Sequence, residues 1–253
     1  MDVGMTEGFR LTVLGCDGSY PGPAGACSGY LVRAAGKTVW LDAGSGTLAN
    51  LQRHVGLHEL DAIVLSHEHP DHWSDLDGYR VAAAYVLKRT GVPVYAPAGV
   101  QARVFSDFEP AVTWHTVTDG DEILLRGGAD GDVRLRFSRT DHGPETLAVR
   151  IDSGGRSLAY SADTGPGWSL SALGEGIDLA LCEATWLVDR EGNGGGGHLS
   201  ARQAGAMARA AGAARLVITH VWPIVDPEEA RAEAAAAYGG PVEVARLHAE
   251  YSV

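Results

Sequence analysis

Residues 66–75 read SHEHPDHWSD, directly after the apolar run DAIVL at 61–65. Within six positions the chain places three histidines and an aspartate: His67, His69, Asp71 and His72. The apolar run reads as a buried strand, so the polar cluster begins where a strand has just ended. His67 and His69 alternate, and in extended backbone alternate side chains point the same way. Pro70 then turns the chain before Asp71 and His72. Neutral imidazole nitrogen and carboxylate oxygen are the donors that suit zinc and similar divalent ions. The pair His67-Glu68 opens like the HExxH protease helix, but position 71 is Asp and Pro70 breaks a helix there, so that motif is excluded. The competing reading is a solvated polar loop, and the HxHxDH density weighs against it.

Outward from this stretch, the chain alternates short apolar runs with helical ones. Residues 9–15, 28–34, 37–44 and 93–97 read as strands, and residues 46–56 and 75–91 as helices, the second ending at Gly91. From about 112 to 161 the runs AVTWHTV, DEILL, DVRLRFSRT, TLAVRID and RSLAYSAD are separated by DG, GGADG and SGG turns, a β-rich pattern. Alternation then resumes with strands at 178–184 and 215–220. Ser200 and Gln203 form a capping box for a helix over 200–212. Asp226, Pro227 and Glu229 mark the start of another. The glycine tract at 192–197 reads as a flexible loop. Strands and helices in both halves, with no linker and no short-period repeat, imply one α/β domain spanning residues 1–253, with two mixed sheets face to face and helices outside.

Composition narrows the classes. The 253 residues contain 45% hydrophobic side chains, enough for a sizeable core, and carry a net charge of −12. That balance disfavours a large polyanionic partner. Cys16, Cys27 and Cys182 show no CxxC spacing and read as reduced thiols of a cytoplasmic protein. The N-terminal stretch has no apolar leader core, and no run is long enough to span a membrane.

Four donors on one loop leave a metal's coordination incomplete. Three later residues, His142 in RTDHGP, Asp163 in AYSADTG and His220 in LVITHVWP, each end an apolar strand and enter a turn. Taken singly, each is as well explained as a hydrogen-bonding group. Together with HEHPDH, and preceded by LDAGSGT at 41–47, the order resembles the metallo-β-lactamase superfamily over nearly the whole chain. The resemblance implies a four-layer αββα sandwich, matching the layers read above. It implies two divalent ions, zinc in the first place, with manganese and iron also compatible. His67, His69 and His142 would hold one ion, Asp71, His72 and His220 the other, and Asp163 would bridge them. Asp42 resembles the family's acid behind the metal loop, and a turn or cap role competes with that reading.

Two further residues select a branch. Glu183 ends the strand in LCEATW, and His198 follows the glycine tract. This pair, with Asp71, resembles the catalytic set of the ribonuclease Z-like phosphodiesterases, in which the histidine supports the leaving oxygen and the glutamate orients it. A carboxylate beside an imidazole fixes its tautomer and stabilises imidazolium. The chain departs from ribonuclease Z itself. Only 20 residues, 143–162, separate His142 from Asp163, with no long arm to grip tRNA, and Val221-Trp222-Pro223 replaces that family's tail after the last histidine. The expectation is therefore a hydrolase of small phosphodiesters, cyclic nucleotides such as cAMP first, as a homodimer with no nucleic-acid or membrane partner. The alternatives are a tRNA 3′-end endonuclease, a lactone, lactam or thioester hydrolase, and an inactive metal-stabilised binding module. Trp73, Trp168, Trp186 and Trp222 are candidates to stack a base, and packing competes for each.

Overall fold

The computed structural model describes residues 8–104, 110–127, 131–192 and 197–253. The N-terminal stretch up to residue 7, residues 105–109, the middle of the turn at 127–131 and most of the glycine tract at 192–197 lie outside those residues. The first sheet begins with β1 (Arg10–Gly15), β2 (Gly29–Ala34), β3 (Lys37–Ala43), β4 (Ala62–Val64), β5 (Val92–Ala96) and β6 (Val112–Thr116). The second is built from β7 (Glu122–Arg126), β8 (Asp132–Arg139), β9 (Leu147–Ser153), β10 (Arg156–Tyr160), β11 (Leu179–Glu183), β12 (Leu216–Thr219) and β13 (Val242–Val244). The chain end, β14 (Glu250–Ser252), returns to pair with β1.

Both sheets are seven-stranded and mixed. The first runs β14-β1-β2-β3-β4-β5-β6 and the second β13-β12-β11-β10-β9-β8-β7. In each, one end is antiparallel and the other parallel, with the change at β3/β4 and at β10/β11. Side-chain period explains the faces. In β8, Val133, Leu135 and Phe137 are buried while Arg134 and Arg136 pair with Glu122 on the outer surface, the alternation of a half-buried antiparallel strand. In β11 all five residues are buried: Leu179 and Leu181 face the other sheet, and Ala180 and Cys182 face helices. A continuous apolar run is what a parallel strand covered on both sides requires.

Helices α1 (Thr47–Leu51) and α2 (Asp75–Val81) cover the first sheet, and α3 (Ala98–Gln101) follows β5. Helices α4 (Ala201–Ala210) and α5 (Pro227–Tyr238) cover the second. The layers are thus helix, sheet, sheet, helix, as expected. Local extents differ from the sequence reading. The helix expected over 46–56 stops at Leu51 and gives way to turns, because the chain must reach β4, which begins eleven residues later at Ala62. The helix expected up to Gly91 changes to a π-helical turn over Ala82–Leu87 and ends on Lys88, whose φ of 52° is left-handed. Among the described residues no helix is long and apolar enough to cross a membrane.

Candidate metal centre

Each candidate donor sits where a strand runs out. His67 and His69 follow β4, and Pro70–His72 is a single 3-10 turn with proline in its first position. His142 lies between β8 and β9, Asp163 three residues past β10, and His220 directly after β12. Asp42, Ala162 and His220 all have φ between 50° and 55°. Left-handed backbone is uncommon outside glycine and re-aims the chain at a strand end. Gly18 is required by contact: a Cβ there would come within 2.4 Å of the His220 carbonyl oxygen.

The structure brings all seven predicted donors together as two groups that share Asp163. His67, His69, His142 and Asp163 form one; Asp71, His72, His220 and Asp163 form the other. The Asp163 oxygens divide between them. Oδ2 lies 3.5 Å from His67 Nε2 and 3.9 Å from His142 Nε2, while Oδ1 lies 3.2 Å from His72 Nε2 and 3.4 Å from His220 Nε2. Asp71 Oδ2 is 3.4 Å from His72 Nε2 and 3.3 Å from His220 Nε2. His69 reaches in through Nδ1, 3.1 Å from His142 Nε2.

The outward nitrogens decide what this cluster wants. His72 Nδ1 donates to Asp42 Oδ2 (2.8 Å) and His67 Nδ1 to Ser66 Oγ (3.0 Å), whose own proton goes to Asp42 Oδ2 (2.8 Å). His142 Nδ1 donates to the Gly197 carbonyl (2.6 Å), and His220 Nδ1 to Thr185 Oγ1 (2.9 Å), which donates onward to Glu183 Oε2 (2.7 Å). With Nδ1 protonated, each ring in the neutral form that binds a metal turns a lone pair inward at Nε2. Lone pairs of nitrogen then face lone pairs of carboxylate. Accordingly His67 Nε2, His72 Nε2 and Asp163 Oδ1 are buried without a hydrogen bond. Acceptors facing acceptors at 3–4 Å repel unless a cation lies between them, so the donor set fits divalent metal ions.

Without an ion, electrostatics divide the two groups. Burial, reinforced by the His72 charge, holds His67 well below the ordinary histidine range, and burial lowers His69 and His142. Burial also opposes charging His72, but Asp163, Asp71 and Asp42 outweigh it and raise that ring well above its usual range. Asp163 and Asp71 are held well below theirs, burial being overcome by the surrounding imidazoles. The three cysteines take no part: their thiols are free, and burial pushes each up to about 12.

Beside the cluster, His198 Nδ1 sits 3.1 Å from Glu183 Oε1. Glu183 is buried and also accepts from the Thr164 and Leu199 amides (2.7 and 3.1 Å). Glu183, His198 and His220 are close enough to be a third ligand group, but hydrogen bonds already satisfy the carboxylate, so it asks for no ion. Burial opposes protonation of His198, and the Glu183 charge prevails, pushing the ring up to about 9. Its ring stacks on His220 with centroids 5.3 Å apart and meets Trp186 edge-on at 5.5 Å.

Of the four tryptophans proposed to stack a base, Trp73 and Trp168 do not stand free at the site. Trp73 packs on the core under the first sheet with its indole N–H on the Glu68 carbonyl, and Trp168 is buried against the second sheet with its N–H on Ser138. Ser66, Tyr160, Thr185 and the Ser19 amide, which points at His220 Nε2 from 3.4 Å, went unnoticed in the sequence. Ser66 stood in the opening stretch, next to His67. Nothing local marks the other three, since their partners are distant in the chain.

A paired histidine–aspartate cluster at the open strand ends of a two-sheet sandwich defines a metallo-hydrolase fold, and the chain belongs to the beta-lactamase superfamily: the profile described as "Beta-lactamase superfamily domain" matches residues 25–221. An uncharacterized protein of Mycobacterium tuberculosis is 34% identical over 253 residues, spanning 94% of this chain and 90% of its own. The probable metallo-hydrolase YhfI of Bacillus subtilis is 30% identical over 247 residues, spanning 94% and 97%. Its crystal structure superposes with a TM-score of 0.84 over 96% of this chain and 98% of YhfI, at 27% identity. A ribonuclease Z of Mycobacterium bovis is 30% identical over 272 residues, spanning 93% and 95%.

Proposed function

We propose that this chain is a dinuclear phosphodiesterase acting on small phosphodiesters, cyclic nucleotides first among them. The observation that carries the reading is the Glu183–His198 pair. A bare hydrolytic metal site needs only its ligands, whereas a diester with an alkoxide leaving group also needs an acid. His198 stands beside the ligand cluster, its Nδ1 3.9 Å from Asp163 Oδ2, and Glu183 fixes which nitrogen faces out. Divalent ions in the two groups, zinc foremost, supply Lewis-acid charge that polarises a phosphoryl group and acidifies water. The water gives up one proton to bulk solvent as its oxygen bonds to phosphorus, the bond to the leaving oxygen breaks, and His198 passes its Nε2 proton to that oxygen. Glu183 stabilises the charged ring before transfer and holds the neutral ring after it.

Small substrates are favoured over RNA by what lies between His142 and Asp163. That segment is a hairpin, β9 and β10, turned at Gly154-Gly155, with no inserted arm. The net charge of −12 weakens any long-range pull on a polynucleotide. The likeness to a ribonuclease Z keeps RNA in the test. Purified protein loaded with zinc or manganese is offered 3′,5′- and 2′,3′-cyclic nucleotides, a precursor tRNA and a lactone, and kcat/KM is ranked. Cyclic nucleotides at the top support the proposal. A lactone at the top replaces it with acyl hydrolysis, and tRNA at the top replaces it with RNA processing.

A further inference from the structure

The hydrolysis of a 3′,5′-cyclic nucleotide has a directional consequence. The leaving atom is a ribose oxygen, and that ribose carries the base. The base therefore emerges on the side of the group that protonates the leaving oxygen, which is the His198 side. On that side stands a wall of aromatic rings. Trp186 is 6% exposed and meets His198 edge-on. Trp222, two residues past His220, meets Trp186 at 84° with centroids 5.7 Å apart. The guanidinium carbon of Arg190 lies 5.4 Å from the Trp222 ring centre.

Trp222 differs from the tryptophans of the core. It is half-buried rather than buried, and its indole N–H is spent on Ser19 Oγ at 3.0 Å. The ring is thus fixed in place with part of its surface open to solvent. Arg190 is exposed and adds positive charge beside a site that must receive an anion. A held indole with a guanidinium over it is the arrangement that accepts a flat, electron-rich ring by stacking and cation–π attraction.

We propose that Trp222 and Arg190 form the nucleobase subsite of this enzyme, with Trp186 bracing Trp222 and His198. The proposal rests on the phosphodiesterase reading and deepens it: the preferred diesters are those that carry a base. The rings select for the base by stacking, which tolerates any base, so discrimination lies between base-bearing and base-free diesters rather than among nucleotides.

The test compares cAMP with methyl riboside 3′,5′-cyclic phosphate, which keeps the leaving ribose oxygen and carries no ring to stack, on metal-loaded protein. Trp222→Leu is expected to lower the ratio of kcat/KM for cAMP to that for the base-free diester about tenfold or more, mainly through KM. Trp222→Phe recovers part of the ratio, and Arg190→Ala lowers it in the same direction. A second readout does not depend on turnover. AMP quenches the tryptophan fluorescence of the wild-type protein, ribose 5-phosphate does not, and Trp222→Leu loses the quench. An unchanged ratio, with both diesters losing equally in Trp222→Leu, overturns the subsite and leaves the phosphodiesterase intact. If the wild-type protein cleaves no diester at all, it is the underlying reading that has failed, and the subsite falls with it.

Discussion

Two buried acids do the same work on opposite sides of the centre. Asp42 accepts from the Ser66 amide (2.7 Å), Ser66 Oγ, the Tyr160 hydroxyl (2.8 Å) and His72 Nδ1. Glu183 accepts from two amides, from Thr185 and from His198. Each carboxylate thereby fixes the rings around it, directly or through a hydroxyl. Asp42 reaches His72 directly and His67 through Ser66, and so sets one ligand of each metal group. Asp42→Ala should therefore weaken metal binding by about 10–100-fold while every inner ligand remains, measured by competition with a chromophoric chelator; retained affinity would make Asp42 a turn residue after all. His198→Ala should act differently. Metal content should hold, kcat should fall about 10²–10⁴-fold on a diester with an alkyl leaving group, and the loss should shrink sharply with 4-nitrophenolate, which departs without a proton. Equal losses on both esters would demote His198 to a structural role. In the sequence Asp42 was balanced between two readings because an aspartate at a strand end serves either, and only the four donors around it decide. Thr185 carried no signal, since its meaning comes from His220, 35 positions away.

At the scale of elements, legibility followed length and patterning. The capping box at Ser200–Gln203 is present on both sides, and Asp226 caps α5 by accepting from the Glu228 amide. These are local bonds, so local sequence foretells them. The strands β13 and β14 escaped notice because three residues each give no period to read, and their pairing to β12 and β1 is set by tertiary contact. The π-helical turn after α2 is likewise a product of packing. The helix pair α4 and α5 shows how small residues set a distance. A Cβ on Gly205 would come 2.2 Å from the Ala234 carbonyl oxygen, so the two backbones touch where α4 has no side chain. Removing that gap costs more than helix propensity returns. A glycine-to-alanine change gains about 1 kcal/mol in a free helix, yet here the contact is with backbone that cannot swing aside. Gly205→Val should destabilise the metal-loaded protein by about 1–3 kcal/mol through overpacking, read from the urea midpoint at constant m-value. No shift in that midpoint would mean that α5 rides out freely and does not brace the sheet beneath His220.

Across the whole molecule, the two sheets are joined at the centre by polar as well as apolar contact. Tyr160 of the second sheet donates to Asp42 of the first, and Tyr30 of the first meets Thr219 of the second at 2.6 Å, beside the large shared core. The metal groups sit astride the same seam, since His67, His69, Asp71 and His72 come from the first sheet and His142, Asp163 and His220 from the second. Ions bound there would act as a clasp between the halves, and chelation should then lower Tm by the linkage of ligand binding to folding. Protons complicate the clasp in opposite senses for the two groups. His67, His69 and His142 are depressed below the unfolded value near 6.5, so their contribution to the chelated fold is present above that pH and lost as pH falls. His72 is raised, so its contribution is full below 6.5 and is lost as pH climbs through its folded value. A metal ion needs a neutral ring. Filling the His67–His69–His142 group above pH 7 therefore displaces no proton from those rings, whereas filling the Asp71–His72–His220 group must expel the proton of His72. The two sites can be separated by variant: His69→Ala leaves the second group and His220→Ala the first. Between pH 6.5 and 8, zinc affinity in His69→Ala should rise with pH, by as much as about tenfold per unit, and in His220→Ala it should level off once pH 7 is passed. Chelator competition at three pH values measures both slopes, and equal slopes in the two variants would show that the charge borne by His72 does not distinguish the groups.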